Sequence, residues 1–399
     1  MLRVFCITDK TPAVTPDCYR TEKICEVRFL DTDERFMWMA LDLARQGRGR
    51  TSPNPMVGAV IVQESEVVGT GYHQAAGSPH AEIIALEKAG KKAKGATLYL
   101  NLEPCCHHGR TGPCTEAIIN AGISRVVAAM QDPNPLVSGK GFARLSEAGV
   151  KVKEGVLEEK ARQLNEAFIK CVATGRPFVA IKVAMSLDGK IGTITGDSQW
   201  ITGEKARQFV HRLRDHTDVI MVGIGTVLKD NPRLTARIED GGGKDPVRVI
   251  VDSTARLPID AKVVESTSTA RTILAVTEQA PLDKLKSLEE KGVEIIKLPS
   301  IQGFVDLVAL MKELAKRDLT SVLVEGGGTL NYSLLSQGLV DKLFVFIAPL
   351  IIGGRQSPTA FGGSGIESLS KAWLVEDIEM KQFDQDLLLI GYPVPGKSS

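Results

Sequence analysis

Two short segments constrain the first half of this chain more than any other feature: PHAE at 79–82 and PCCHHGRTGPC at 104–114. If His80, Cys105 and Cys114 share a metal, the fold must bring a helix start and a cysteine-bearing loop to one point. One imidazole and two thiolates suit a catalytic zinc, which takes three protein ligands and keeps a fourth position open for water. A proline precedes each of these cysteines, which suits the start of a helix, where free N–H groups favour thiolate over thiol. Glu82 is not needed as a ligand; it stands where it could take the proton of the activated water and pass it to a departing amine. The alternative is a closed structural site that adds Cys106 or His107 as fourth ligand, and such a site has no use for Glu82. Cys106 reads as packing, and His107 and His108 as part of a substrate loop or pocket wall. Asn54, in the turn TSPNP, serves either a substrate hydrogen bond or the turn itself.

Length and charge narrow the rest. At 399 residues and 43.0 kDa the chain exceeds what one core organises, so two or three domains are expected. Lysine plus arginine number 49 against 48 acidic residues, a net charge of +1. That balance gives no field to hold a polyanion or an anionic bilayer, so neither nucleic acid nor a membrane is an expected partner. The longest strongly apolar run, 343–352, is ten residues with Pro349 inside it, about half of the ~20 a membrane-spanning helix needs. The seven cysteines fall into two clusters, Cys6, Cys18, Cys25 and Cys105, Cys106, Cys114, with Cys171 apart. This pattern fits metal binding in a reducing compartment better than a disulfide framework, and a cytoplasmic location is expected.

Residues 1–30 lack a sustained apolar segment and carry Asp9, Asp17, Glu22 and Glu26. They fit neither a secretory signal nor an acid-poor transit peptide, and read as an extension to which no motif gives a role. Beyond them strand and helix patterns alternate. The periodicities predict a helix over 33–44, a hairpin of 57–62 and 67–72, a helix over 80–88, a strand at 97–100, a helix over 114–120 closed by Gly122, a strand at 125–130 and a helix over 157–172. TGRP at 174–177 breaks the pattern, so domains are expected at 31–175 and 176–399. In the second, strands are expected at 178–183, 219–222, 247–251, 272–276, 293–298, 321–324 and 343–350, with helices near 203–214, 281–291, 304–316 and 329–337. Both halves are therefore α/β.

The H-x-E pattern followed by proline–cysteine pairs resembles the zinc deaminases, in which the cysteines are spaced P-C-x-x-C. Here eight residues separate Cys105 from Cys114. That insertion, with TSPNPMVGAVIV at 51–62 and MQDPNP at 130–135, resembles the deaminase domain of the bifunctional riboflavin-biosynthesis deaminase–reductases. KVAMSLDGKIGTITGDSQWIT at 182–202 resembles their reductase domain. The resemblance covers about residues 33–395. It implies a zinc cytidine-deaminase-like α/β/α domain followed by a dihydrofolate-reductase-like α/β domain, with one zinc per chain and NADPH. The implied reactions are deamination of 2,5-diamino-6-(5-phosphoribosylamino)pyrimidin-4(3H)-one to 5-amino-6-(5-phosphoribosylamino)uracil, then reduction of the ribosyl group to ribityl.

The resemblance also assigns residues. His80, Cys105 and Cys114 would hold zinc, with Glu82 catalytic. VGIGTVLKDNPRLT at 222–235, VDS at 251–253 and VLVEGGGTLNYSLL at 322–335 match, in order, the segments that contact NADPH. They and the 182–202 stretch imply cofactor contacts from Ala184, Trp200, Thr226, Asp230, Ser253 and the run Gly327, Gly328, Thr329, Leu330, Asn331, Tyr332 and Ser333. On the residues alone, a strand, three glycines and a helix suit a pyrophosphate at a helix N-terminus, whereas 222–235 lacks the third glycine of a Rossmann fingerprint. The implied substrate positions are Ser198, Arg214, Leu234, Arg237 and Glu325. Arg214 and Arg237 have a physical rationale, because guanidinium grips a phosphate bidentately. Asp230 serves either proton transfer or the turn before Asn231 and Pro232. A homo-oligomer acting on a small pyrimidine ribotide is expected. A tRNA or nucleoside deaminase and a nucleotide-sensing scaffold are the rival readings; the neutral charge, the long insertion and Glu82 weigh against them.

Overall fold

The computed structural model describes residues 31–107, 112–239, 241–265 and 268–396. The extension at 1–30, with its three cysteines, and His108 lie outside the described residues.

The first domain opens with α1 (Thr32–Arg45), which buries Phe36, Met37, Ala40, Leu41 and Ala44 along one side. Asp31 stands at its N-cap without a side-chain cap bond, and Asp33 turns inward instead. Asp33 accepts from Tyr99 at 2.9 Å, Arg125 at 2.9 and 2.7 Å and Lys153 at 2.7 Å. Burial opposes its charge, yet these donors hold its carboxyl well below the usual range. There follow β1 (Gly58–Gln63), β2 (Glu66–Tyr72), α2 (Ala81–Ala89), β3 (Thr97–Leu100), α3 (Cys114–Asn120), β4 (Arg125–Ala128), α4 (Lys140–Glu147), β5 (Lys151–Lys153), α5 (Glu158–Leu164) and α6 (Glu166–Thr174). The sheet order is β2-β1-β3-β4-β5, antiparallel through β1 and parallel from β3 to β5. Alternation along β1 sends Val60 and Val62 to α1 and α5, and Ala59 and Ile61 to α2 and α3, giving three layers.

The second domain continues with β6 (Phe178–Ser186), α7 (Glu204–Asp215), β7 (Val219–Gly223), α8 (Ile224–Asp230), β8 (Val247–Val251), β9 (Thr272–Val276), α9 (Leu282–Glu289), β10 (Val293–Lys297), β11 (Ser300–Ile301), β12 (Phe304–Val305), α10 (Leu307–Ala315), β13 (Ser321–Val324), α11 (Gly328–Ser336), β14 (Lys342–Ala348), β15 (Leu374–Phe383) and β16 (Asp386–Val394). Nine strands form one sheet in the order β10-β9-β8-β7-β13-β6-β14-β16-β15. It is parallel from β10 to β14 and ends in the antiparallel β16 and β15. Helices α10 and α11 pack on one face, α7, α8 and α9 on the other.

The expected helix over 157–172 is two helices, because Asn165 leaves helical geometry to hold the Met56 backbone, accepting from its N–H at 2.8 Å and donating to its carbonyl at 3.0 Å. The helix expected from 304 begins at Leu307, since Asp306 caps it by accepting from the Ala309 N–H. Strands β15 and β16 were not expected; β15 is exposed along nearly its whole length and carries no buried face to read.

Charged contacts join the domains. Arg50 Nη2 meets Asp215 Oδ1 at 2.8 Å, and Lys170 meets Asp341 at 2.7 Å. Glu166 accepts from Lys342 at 2.8 Å and Tyr392 at 2.9 Å. Asp218 Oδ2 accepts from Ser52 at 2.7 Å and from Thr320 and Ser321. A cleft of about 360 Å³ between the domains is lined by Arg48, Asn54, His216 and Lys381 among others. Burial, reinforced by Arg48, holds the His216 imidazole at about 4. The unfolded chain titrates near 6.5, so from there down to about 4 it binds a proton that the folded state refuses, and stability falls as pH falls. In thermal melts at pH 7 and pH 5, His216→Gln is expected to lose less Tm than the parent protein; equal losses would remove His216 from the acid response.

Candidate active sites

In the first domain, His80 is the N-cap of α2 with φ −70° and ψ 157°, and Glu82 lies in its first turn. Cys105 follows β3 across a short loop, and Cys114 is the first residue of α3. His80 Nδ1 is 3.2 Å from Cys114 Sγ and 3.7 Å from Cys105 Sγ, and the three ligand atoms lie within 4.8 Å of one another. Zinc bonds of ~2.0–2.3 Å arranged tetrahedrally require ligand–ligand edges of about 3.5–3.8 Å. One imidazole and two cysteines at this spacing fit that ion, and among the described residues no fourth His, Cys, Asp or Glu joins the cluster.

The charge state is that of a metal-ready site. Hydrogen bonds, from Cys114 first and then His80, hold the Cys105 thiol down at about 4. The same sulfur contact and burial push Cys114 up, so the pair shares one proton. The Cys105 thiolate raises His80. Burial, reinforced by the Cys105 charge, pushes the Glu82 carboxyl up. Glu82 is 4% exposed, so it holds a proton more readily than a surface glutamate.

Three supporting residues carry no motif. Glu103 accepts from the backbone N–H groups of Asp132, Gly139, Gly141 and Phe142 at 2.9–3.2 Å, pinning the loop after β4 to the chain that leads to Cys105. A Cβ on Gly141 would meet Pro104 O at 2.3 Å, so only glycine allows that approach. Asn101 is wholly buried and fixes the turn bearing Asn54, accepting from Gly58 N–H and donating to Met56 O. His73 Nδ1 is 3.1 Å from Pro79 O, which only accepts, so this nitrogen carries the proton. Burial keeps the ring neutral, leaving Nε2 to accept from Asn54 Nδ2 at 3.1 Å. Asn54 therefore keeps its Oδ1 for another partner. Cys106 is partly exposed, its thiol pushed up by burial and Glu103, and His107 is exposed.

In the second domain a cavity of about 860 Å³ opens at the carboxyl ends of the parallel strands. Of the expected cofactor residues, Thr226, Asp230, Ser253, Gly327, Gly328, Thr329, Leu330, Tyr332 and Ser333 line it, as does Ser198 from the substrate set. A notional Cβ on Gly327, N-cap of α11, would meet only Thr226 Oγ1 of α8, at 3.8 Å, and one on Gly225 in α8 would meet nothing within 4 Å. This leaves room for a phosphate against N–H groups, and the volume lies within the ~300–1,000 Å³ of cofactor sites, so a dinucleotide fits. Asn331 does not face the cavity: it is 1% exposed and donates to Ala360 O. Ala184 lies on β6, and the exposed Trp200 stacks under Arg207 at 4.7 Å, both outside the cavity lining.

Arg214 is engaged by the protein itself. Its Nε and Nη2 donate to Glu325 at 2.6 and 2.8 Å, and its Nη1 to Thr235 O at 3.0 Å. Lys182, partly buried on β6, stands 3.9 Å from Glu325, and burial lowers its pKa. Together the two cations hold Glu325 down at about 2 against the cost of its burial. Sequence reasoning passed over Lys182 because a single lysine in an apolar run reads as strand. Arg237 is exposed beside this group, and Leu234 is buried in the core at φ 54°. Burial and both arginines depress His211 to about 4. Burial raises Asp230, which accepts from Ser198 at 3.4 Å.

These features define a zinc-type deaminase domain joined to a dinucleotide-type reductase domain. Residues 30–130 match the cytidine and deoxycytidylate deaminase zinc-binding region, and residues 177–389 match the RibD C-terminal domain. The chain belongs to the RibD family of riboflavin biosynthesis proteins. It is 44% identical over 90% of its length to the riboflavin biosynthesis protein RibD of Aquifex aeolicus, covering 98% of that protein. The solved structure of Acinetobacter baumannii RibD superposes with a TM-score of 0.82 at 37% identity, over 91% of this chain and 99% of that one. That of a diaminohydroxyphosphoribosylaminopyrimidine deaminase/5-amino-6-(5-phosphoribosylamino)uracil reductase from Thermotoga maritima gives 0.79 at 40% identity, over 91% and 99%.

Glu325→Gln is expected to leave Lys182 and Arg214 without a counter-charge in a buried site, at a cost of about 3 kcal/mol to the second domain. Denaturant unfolding of the purified variant, with zinc content as control, measures this. An unchanged midpoint would show the pair to be dispensable for the fold.

Proposed function

We propose that residues 31–175 deaminate 2,5-diamino-6-(5-phosphoribosylamino)pyrimidin-4(3H)-one to 5-amino-6-(5-phosphoribosylamino)uracil, and that residues 176–399 then reduce its ribosyl group with NADPH to give 5-amino-6-(5-phosphoribitylamino)uracil. The observation that carries the first step is Glu82, buried in the first turn of α2 beside the His80, Cys105 and Cys114 cluster. These three residues would hold zinc, which when bound supplies Lewis-acid activation of a water. Glu82 takes the water's proton on its carboxylate and returns it to the leaving nitrogen, which departs as ammonia. Asn54, oriented through His73, offers its Oδ1 to an N–H of the pyrimidine. Glu103 keeps the Cys105 loop fixed throughout.

For the second step the dinucleotide, when bound, would supply a hydride to C1′ of the ribosylamine, the C1′–N bond being kept while the bond from C1′ to the ring oxygen breaks and that oxygen takes up a proton. The residues lining the cavity bind and orient it: the helix starts at Gly225 and Gly327 take its phosphates. Lys182, kept in register by Glu325 and Phe346, hydrogen-bonds the sugar oxygen as charge develops there. Arg214 shapes Glu325, while the exposed Arg237 is the cation available to the sugar's phosphate. Asp230 and Ser198 close the cavity nearby.

No helix of the described residues is long and apolar enough to cross a membrane, which supports a cytoplasmic enzyme. The proposal includes a homo-oligomer. Strand β15 is the unpaired edge of the large sheet and exposes Val375, Ile378 and Met380 on one face, a row that a second copy would cover. Light scattering on the purified chain is expected to give a multiple of 43.0 kDa, and Met380→Lys is expected to shift it towards the monomer; a monomeric parent protein would refute the oligomer.

The central test supplies the diaminopyrimidinone ribotide to purified protein and follows products by mass. A gain of about 1 Da, then of about 2 Da only with NADPH, is expected. Glu82→Gln should keep the zinc and the reductase step but lose deamination by at least ~100-fold. No mass change from zinc-loaded protein would sink the substrate assignment.

A further inference from the structure

The cleft between the domains, about 360 Å³, stands apart from both reaction sites. It shares no lining residue with the cavity of the second domain, and of the groups at the first site it meets Asn54 alone. Its walls come from two hydrophobic cores. Phe168, half-buried on α6, packs on the core of α1 and β1, whereas Phe178 and Phe209, also half-buried, pack on that of β14 and β16. Three aromatic rings from the two domains therefore line one opening at a domain contact, a frequent place for a small-molecule site.

Most of the charges that line the cleft engage one another. Lys342 is paired with Glu166 at 2.8 Å and Lys381 with Glu379 at 3.3 Å. Two groups are left over. Arg48 is exposed, and its side chain makes no hydrogen bond or ion pair among the described residues. Asp218 is 7% exposed, and every donor that reaches it, from Ser52, Thr320 and Ser321, goes to Oδ2. Its Oδ1 has no partner and is not enclosed, so a buried carboxylate presents one bare acceptor at the cleft. The field nearby is positive: after burial, the charges of Arg48, Arg50 and Arg212 depress the His216 imidazole, and Asp215 alone opposes them. An open carboxylate oxygen calls for an N–H donor. An unpaired guanidinium calls for an anion, and a phosphate is one that it grips with two hydrogen bonds. The phenylalanines supply apolar walls for a flat ring.

We propose that this cleft is a third binding site, for a planar nitrogen heterocycle that carries a ring N–H and a phosphate monoester. Arg48 takes the phosphate, Asp218 accepts from the ring N–H, and Phe168, Phe178 and Phe209 enclose the ring. Two kinds of compound share this chemistry: a uracil-type ring on a phosphorylated sugar, and a fused flavin ring on a phosphorylated ribityl chain. The volume is near the lower end of the ~300–1,000 Å³ of ligand sites, which suits a mononucleotide better than a dinucleotide. An occupant touches the turn of residues 48–54, α6 and the starts of β6 and β14 at once, and so ties the two domains together.

Calorimetry on the zinc-loaded full chain, with NADP⁺ saturating the second-domain cavity, tests this with flavin mononucleotide, riboflavin and uridine 5′-monophosphate as probes. At least one of the two phosphates is expected to bind once per chain, and riboflavin more weakly than its phosphate. Arg48→Gln is expected to weaken the phosphates by roughly 10- to 100-fold and to leave riboflavin within about twofold. Phe168→Ala is expected to weaken every probe that binds by roughly 3- to 10-fold. Zinc content and deamination, measured without probe, should match the parent protein in both variants and so verify the fold. Binding of flavin mononucleotide alone supports a fused-ring occupant, and binding of uridine 5′-monophosphate alone a single-ring one. If neither phosphate binds the parent protein, the site is refuted. Phosphates that bind Arg48→Gln as tightly as the parent occupy one of the two reaction sites instead, and overturn the proposal equally.

Discussion

Parallel pairing is the constraint on which both sites depend. A strand whose neighbour runs parallel cannot be followed by a tight turn; the chain must cross back over a face before the next strand begins. Successive strands therefore deliver their carboxyl ends to one rim. In the second domain β6, β7, β8 and β13 do so, bringing Gly223, Ser253, Glu325 and Gly327 together although a hundred residues separate the first from the last two. In the first, β3 and β4 bring the Cys105 loop and the 130–142 loop side by side, close enough for Glu103 to tie them.

What the rim gathers, buried carboxylates then fix. Asp33, Glu103 and Asp218 are each almost fully enclosed and the Glu325 side chain is 9% exposed, and each is met by several donors. Replacing such a carboxylate together with its charged partners by well-packed apolar residues often costs a fold nothing, whereas removing the carboxylate alone does not, so the worth of these clusters here is geometric. Glu103 fixes a loop with four backbone donors, and Glu325, directly after β13, spaces the cations of Lys182 and Arg214. The His73 ring works the same way with a neutral group, transmitting the direction of the Pro79 carbonyl to the Asn54 amide.

Much of this was legible in the sequence, for reasons that particular residues make clear. Strands such as Thr97–Leu100, Val247–Val251, Thr272–Val276 and Ser321–Val324 were bounded to the residue because they are short apolar runs buried on both faces. The His80, Cys105 and Cys114 cluster was legible because ligand chemistry is local to each residue type. Glu103, His73 and Lys182 were not, since a glutamate, a histidine and a lysine announce nothing until the fold supplies their partners. The Arg214–Glu325 pairing was hidden for the same reason: a guanidinium that suits a phosphate suits a glutamate equally well. The α4 segment was passed over because glycine and charge interrupt it, and β15 because it has no buried face.

The two domains meet through the turns that support the two sites as well as through α6, whose Glu166 and Lys170 reach Lys342, Tyr392 and Asp341. Residues 49–54 carry Asn54 towards the first site and present Arg50 and Ser52 to Asp215 and Asp218 of the second domain. Asp215 directly follows Arg214 at the end of α7, and Asp218 leads into β7, whose far end opens the cavity. The approach is backbone to backbone: Gly49 has φ 73°, and a Cβ there would lie 2.5 Å from Asp215 O. Any larger residue would push the turn off α7 and with it the anchor of Asn54. The domain contact is thus part of the mounting of both sites, and its polar character follows, because only hydrogen bonds fix direction as well as distance.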